Sequence, residues 1–341
     1  MLVEYAIARL AGLKRQFPTF AALERMAAGR DGHAMARLLT GTVFEPEVIN
    51  LAARKDIEAS IPLVLRLVNE GSLRMRRLFA LRAAQAWPER RRVFAARWEL
   101  EEIKSAIRYL TFGGEGLEKR FAFVSFIMDA RRPLWNAHMK PAEFQKALVK
   151  AGHPLAGAVD TEAFADDPVK NELQMERYFF LQYLKTQEDR LCAGCHEYFR
   201  DQLDMINAKN AWLLRGAEPE RKLRPELFIA AGGKVGLEDF LEIATGPSEA
   251  KAIERIQSRM RILLDPEKLD SPYGLSTAIR NALLIKYRRM YIENPGGVWA
   301  FFHFAEELNA MIADVRNAIY CGATCSTVDV VTRRFIGARP R

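Results

Sequence analysis

Apolar residues recur along this chain at the three- and four-residue steps of a helix almost from end to end. The clearest stretch is 170–215, which holds no proline and a single glycine, Gly194. Its second half carries Phe199, Leu203, Ile206, Asn210 and Leu213, which sets one amide on an otherwise apolar seam. Leu100, Ile103, Ile107 and Leu110 draw the same stripe, and so do Leu308, Met311, Val315 and Ala318. Leu100, Leu203 and Leu308 stand about 100 residues apart, near a third of the chain. The pattern therefore predicts a threefold helical repeat with one marker helix in each unit, divided as 1–110, 111–215 and 216–341.

Helix punctuation divides the rest. A helix is expected over 1–16, and a second follows Thr19, which is placed to cap FAALERMAA. A short third helix at 33–40 should stop at Gly41. From Glu47 to Trp87 the pattern stays helical, with a break expected at Gly71–Ser72. Pro88 opens the first marker helix, which Gly113, Gly114 and Gly116 end. An apolar helix is expected over 117–130. Pro141 and Gly152 bracket a short helix, and 153–168 reads as loop with a turn. The stretch 170–215 reads as one long helix, and further helices are expected at 236–246, 248–264, 275–294 and 297–322. The only β-branched cluster is VDVV at 328–331, so the fold class is all-α.

Composition changes this picture little. A chain of 341 residues, 49% hydrophobic and 28% charged, can bury two or three cores and reads as globular. No apolar run approaches the ~20 residues of a membrane-spanning helix, and the amphipathic start lacks a signal peptide's cleavage site. A cytoplasmic protein is the expectation.

Charge adds one feature. Between Arg66 and Arg97 stand nine arginines (66, 74, 76, 77, 82, 90, 91, 92 and 97) against Glu70 and Glu89. Such a stripe suits an acidic protein surface, a headgroup layer or nucleic acid, or else is a solvated helix face. Phe79, Trp87 and Phe94 are its only aromatics, too few and too core-like in spacing to serve as base-stacking platforms.

The chemical motifs are sparse. Cys192-Ala-Gly-Cys195-His196 has the form of a haem attachment site, but no export signal, open loop or distal ligand accompanies it. Cys192, Cys195, Cys321 and Cys325 have spacings that could surround zinc. Thiols that fill helix contacts are the plainer reading, with 192–196 helical and no disulfide. Gly232-Gly233-Lys234 lacks the rest of a phosphate loop, and the five histidines (33, 138, 153, 196 and 303) are scattered. No catalytic constellation emerges.

The repeat resembles a known family, the C subunit (d in eukaryotes) of V-type and archaeal-type ATPases. The opening EYAIARLAGLKRQF is similar to that family's first helix, and FAALERMAAGRDGHAMARLLTGTVF to the family's next segment. The markers are similar to its acid-x-x-Asn-Leu-Lys helix. Glu99, Glu102 and Arg108 stand in the first, with glutamate for the usual asparagine, and Asn207, Asn210 and Arg215 in the second. Asp314 and Arg316 stand in the third, and LRPELFIAAGGKVGLEDFLEIA is similar to the loop and helix after the second marker. The resemblance implies a funnel of three similar helical-bundle domains on the cytoplasmic face of a membrane rotor ring. Such a subunit receives the central stalk and passes torque, and it has no catalytic residues, cofactor, metal, small-molecule substrate or nucleic acid. Arg74, Arg76, Arg77, Arg90, Arg91 and Arg92 are then candidates for binding stalk or ring. The competing class is a helical-repeat scaffold or nucleic-acid-binding protein that uses the basic stretch 66–97.

Overall fold

The computed structural model describes residues 2–54, 59–112, 139–161, 168–215, 225–265, 269, 272–324 and 335. Every regular element among them is helical, so the fold is all-α. The expected helix at 117–130, the glycines after Phe112 and the VDVV cluster lie outside the described residues. The chain forms two compact units. One joins Met1–Trp87 to Ile253–Arg341, and the other is Pro88–Ala252.

In the first unit, α1 (Leu2–Lys14), α2 (Phe20–Ala28) and α3 (Gly32–Leu39) follow the expected punctuation. Thr19 Oγ1 accepts from the Ala22 amide at 3.3 Å, and Asp31 accepts from His33 and Ala34 at 3.0 Å, satisfying donors that a helix start otherwise leaves open. α4 (Glu45–Ala53) and α5 (Ile61–Ala83) correct one expectation, since the chain breaks before Ser60 and runs helical through Gly71–Ser72. A β-carbon at Gly71 would lie 2.7 Å from the Phe44 ring, so this glycine lets α5 lie against the start of α4. A glycine used for close approach is no helix breaker.

The same unit holds α12 (Glu249–Met260, beginning at the unit boundary), α13 (Pro272–Glu293) and α14 (Val298–Thr324). α12 ends four residues earlier than expected. Arg261 takes φ 54°, and the Ile262 amide reaches back to Gln257 O at 3.1 Å, which closes the helix end as a Schellman turn. α14 is the axis of this unit and packs on α1, α2, α5 and α13. It buries Trp299, Phe301, Phe302 and Phe304. Phe301 meets Phe79 at 5.3 Å and Trp87 at 5.8 Å, and Trp299 stacks on Tyr287 at 5.5 Å.

The second unit opens with α6 (Pro88–Phe112) and α7 (Pro141–Lys150), each starting at a proline as expected. Gly152, at φ 66°, ends α7. The expected single helix over 170–215 is in fact several pieces. α8 (Pro168–Tyr178) passes into a π-helical turn at Phe179–Tyr183, then α9 (Leu184–Thr186) and a 3₁₀ turn at Glu188–Arg190. Phe179, Phe180 and Tyr183 are all buried, so a widened turn there aims three large rings inward. A new helix, α10 (Ala193–Arg215), begins after Cys192, and α11 (Leu237–Thr245) packs against it. Cys192 is thus the residue that precedes a helix and not part of one.

Candidate functional site

α10 is buried on most of its circumference, and four of its buried positions, Asp201, Gln202, Asp204 and Asn207, are polar. Asp201, Asp204 and Asn207 are all fully inaccessible. Such groups are tolerated only when hydrogen-bonded. Here they hold an irregular segment, residues 225–236, Asp204 and Asn207 by its backbone and Asp201 by the Lys234 side chain. Asn207 Nδ2 donates to Ile229 O at 3.1 Å, and the Ile229 amide donates back to Asn207 Oδ1 at 3.0 Å. Asn210 Nδ2 donates to Leu227 O at 3.1 Å, and the Val235 amide donates to Asp204 Oδ1 at 2.9 Å. Lys234 Nζ lies 3.1 Å from Asp201 Oδ1. From α8, Arg177 donates to Glu226 O and, at 3.1 Å, to Phe228 O. Arg215, at the end of α10, donates to Ile243 O of α11 at 2.7 Å. Burial pushes the Asp204 carboxyl up to about 6 against the Val235 and Lys234 amides and the charge of Lys234, which pull it down.

The outer part of the seam seen in sequence is less buried than expected. Leu213 is 48% exposed, while Phe199 and Leu203 are in the core. Asn210, half-buried on the same seam, is held by the strap at 225–236.

The first marker sits in a buried ionic cluster of the same unit. Glu176 pairs with Arg97 and Lys104, both at 2.7 Å. Despite burial, which opposes it, Glu101 and Glu176 hold the Lys104 ammonium above its usual range. Glu99, also buried, lies 3.1 Å from His153 Nε2, and His153 Nδ1 accepts from the Leu155 amide at 3.0 Å, so Nε2 is the donor. Arg108 forks onto Glu172, its Nε at 2.8 Å, and Glu102 is half-buried on the same helix. In the third marker, Asp314 is fully buried and Arg316 half-buried on α14.

The nine arginines are divided between the two units. Arg66, Arg74, Arg76, Arg77 and Arg82 belong to the first unit, and Arg90, Arg91, Arg92 and Arg97 to the second. Arg74 pairs with Glu47 at 2.5 Å and donates to Val43 O, which ties α5 to α4. Arg76 is buried, Arg77 half-buried, and Arg82 donates to Arg9 O at 3.1 Å. The charge of Arg90 helps hold the Cys192 thiol below its usual value. Arg92 is the most open of those paired to an acid, with 56% of its side chain exposed and Glu89 3.9 Å away. Burial and the like charge of Arg92 hold the Arg91 guanidinium below its usual value.

No group of His, Cys, Asp and Glu among the described residues is arranged to hold a metal ion, and no described helix is long and apolar enough to cross a membrane. Cys192 and Cys195 face each other in the second unit, Cys321 is buried in the first, and Cys325 lies outside the described residues.

A family model described as ATP synthase (C/AC39) subunit matches residues 6–321. The chain belongs to that family. No curated protein matches it. Family membership makes the chain an accessory subunit of a V-type ATPase, and Asp201, Asp204 and Asn207 of α10, with Glu99 and Lys104 of the first marker helix, then read as structural, bonded to partners within their own unit.

Asp201, Asp204, Glu176 and Lys104 were not singled out by sequence. Acids and lysines on an amphipathic helix read as solvated by default, and their partners stand 33, 31 and 72 residues away. Asp201, Asp204 and Asn207 recur every three residues, which is the one signal that could have marked an inward polar line.

Proposed function

We propose that this chain is the non-catalytic rotor subunit that joins the central stalk of a V-type ATPase or ATP synthase to its membrane rotor ring, on the cytoplasmic face, and transmits torque between them. The observation that carries the proposal is the family match over residues 6–321, nearly the whole chain. Torque transmission asks for stiff elements packed along their length. α14, with 27 residues, is roughly 40 Å long at 1.5 Å per residue and packs on four other helices. The thirds 1–110, 111–215 and 216–341 are proposed to share one helix order as a funnel, which internal superposition would test. Arg91 and Arg92 are the arginines assigned to an acidic face of stalk or ring, because their like charges crowd each other at the open start of α6. Arg74, by contrast, is paired to Glu47 within its own unit, and Arg76 is buried.

Co-purification with a tagged chain tests the role. Stalk and ring subunits should accompany it, and reversing Arg91 and Arg92 to glutamate should weaken that association, less so as salt rises. Recovery of the folded chain with neither stalk nor ring would overturn the proposal. The nucleic-acid alternative leans on arginines of which Arg66, Arg74, Arg92 and Arg97 already face in-chain carboxylates. A steep salt dependence of RNA or DNA binding would be its signature.

A further inference from the structure

The rotor role makes no use of the two cysteines at the start of α10, yet their placement is specific. Cys192 precedes the helix, and its carbonyl accepts the Cys195 and His196 amides at 2.9 and 3.2 Å. Cys195 sits in the first turn, with its Sγ 3.3 Å from Cys192 Sγ. The two thiols differ in access, since Cys192 is part-buried while Cys195 is 1% exposed. The positive charge of Arg90, at the start of α6, acts on Cys192 from outside the helix and favours its thiolate. One accessible sulfur beside an arginine and a helix N-terminus, with a second buried sulfur in contact behind it, is the arrangement of an attacking and a resolving thiol.

We propose that Cys192 and Cys195 are a thiol–disulfide redox pair that accepts a low-molecular-weight disulfide, of the glutathione class, as its oxidant. The Cys192 thiolate attacks one sulfur of the oxidant. The oxidant's S–S bond breaks, and half of it leaves as a thiolate that takes a proton from water. Cys195 then releases its proton to solvent and its sulfur attacks Cys192 Sγ, expelling the second half. Two electrons and two protons pass from the protein to the oxidant, giving one internal disulfide and two small thiols. A reducing dithiol reverses both steps.

The electrostatics agree with this division of labour. Burial raises the Cys192 thiol, but hydrogen bonds from the Cys195 amide and thiol and the charge of Arg90 outweigh it and leave it below its usual value. Burial, followed by the contact with Cys192, pushes Cys195 up to about 12, so it keeps its proton until a mixed disulfide forms beside it. Closing the bond brings the sulfurs from 3.3 Å to about 2.05 Å, a movement that side-chain rotation within one helical turn can supply. The bland alternative, two thiols that merely fill a helix contact, predicts none of this reactivity.

The test uses the full-length purified chain, equilibrated in oxidised and reduced glutathione, with acid trapping and mass analysis of the tryptic peptide 191–200. That peptide contains both cysteines and neither Cys321 nor Cys325. The expected product is a peptide lighter by two hydrogens and free of glutathione. In Cys195→Ser the reaction should stop with glutathione on Cys192. In Cys192→Ser the peptide should react at least ~10-fold more slowly, because the remaining thiol is buried and protonated. Arg90→Ala should slow alkylation of Cys192 severalfold at neutral pH. Circular dichroism of each variant checks that it folds. A wild-type peptide that stays dithiol, or that stops as the mixed disulfide without closing, overturns the proposal.

Discussion

The two units are each built around a long helix, and the two helices work by different means. α14 is an aromatic axis whose rings meet Phe79, Trp87 and Tyr287. α10 carries rings too, but its distinctive contacts run from Asp204, Asn207 and Asn210 to the backbone of a strap with little regular structure. Apolar packing is non-directional and scales with area and fit. A polar grip is directional, and removing one side of it leaves the other buried and unpaired. Positions of similar burial should therefore answer to different substitutions.

Phe301→Ala should show the largest effect. Its ring is 1% exposed and touches three other rings, so truncation should cost ~3–5 kcal/mol, while Phe301→Leu should cost under ~1.5 kcal/mol. Denaturant unfolding followed by tryptophan fluorescence measures both. At Asn207 the pattern should invert. Asn207→Leu keeps the volume but orphans both the amide and the carbonyl of Ile229, and should cost roughly 2–4 kcal/mol, no less than Asn207→Ala. A mild Asn207→Leu beside a severe Asn207→Ala would mean that volume alone matters there and would erase the distinction.

Titration should separate the helices next. Asp204, raised to about 6, keeps its proton in the folded chain after the unfolded chain has released it. Its contribution is present at low pH and is lost as pH rises through about 6. His303 on α14 has the opposite sign. Burial, with Lys14 and Arg288 nearby, lowers it to about 4, so its contribution is present above the ordinary histidine range and is lost as pH falls through about 4. Native-state hydrogen exchange between pH 4 and 7 should show these opposed slopes as differences from wild type in Asp204→Asn and His303→Gln. Each difference should be on the order of 2 kcal/mol. The smallest effect belongs to the surface. Arg92→Ala should change stability by less than ~0.5 kcal/mol, since an exposed pair at 3.9 Å is worth little.

Local punctuation carried most of the fold into the sequence. Thr19, Pro88, Pro141 and Gly152 each do locally what their residue type does in general. The features that could not be read depend on the rest of the molecule. Gly71 reads as a breaker until Phe44 is seen against it, and the widened turn at Phe179–Tyr183 needs the core its rings enter. The grip of α10 was visible only at Asn207 and Asn210, because a buried aspartate and a solvated one look alike until the chain some 30 residues on comes back to them. The arginine run looked like one feature because sequence hides the boundary at Trp87 and Pro88 that divides it between two units.

The central claim is that this accessory subunit couples stalk to ring, and it is best tested on the assembled complex. ATP hydrolysis and membrane-potential formation should be measured together in vesicles that hold the complex with and without this chain. Hydrolysis that continues without building a potential, and regains it when the folded chain is added back, is the predicted result. A potential that forms equally well in its absence would contradict the account.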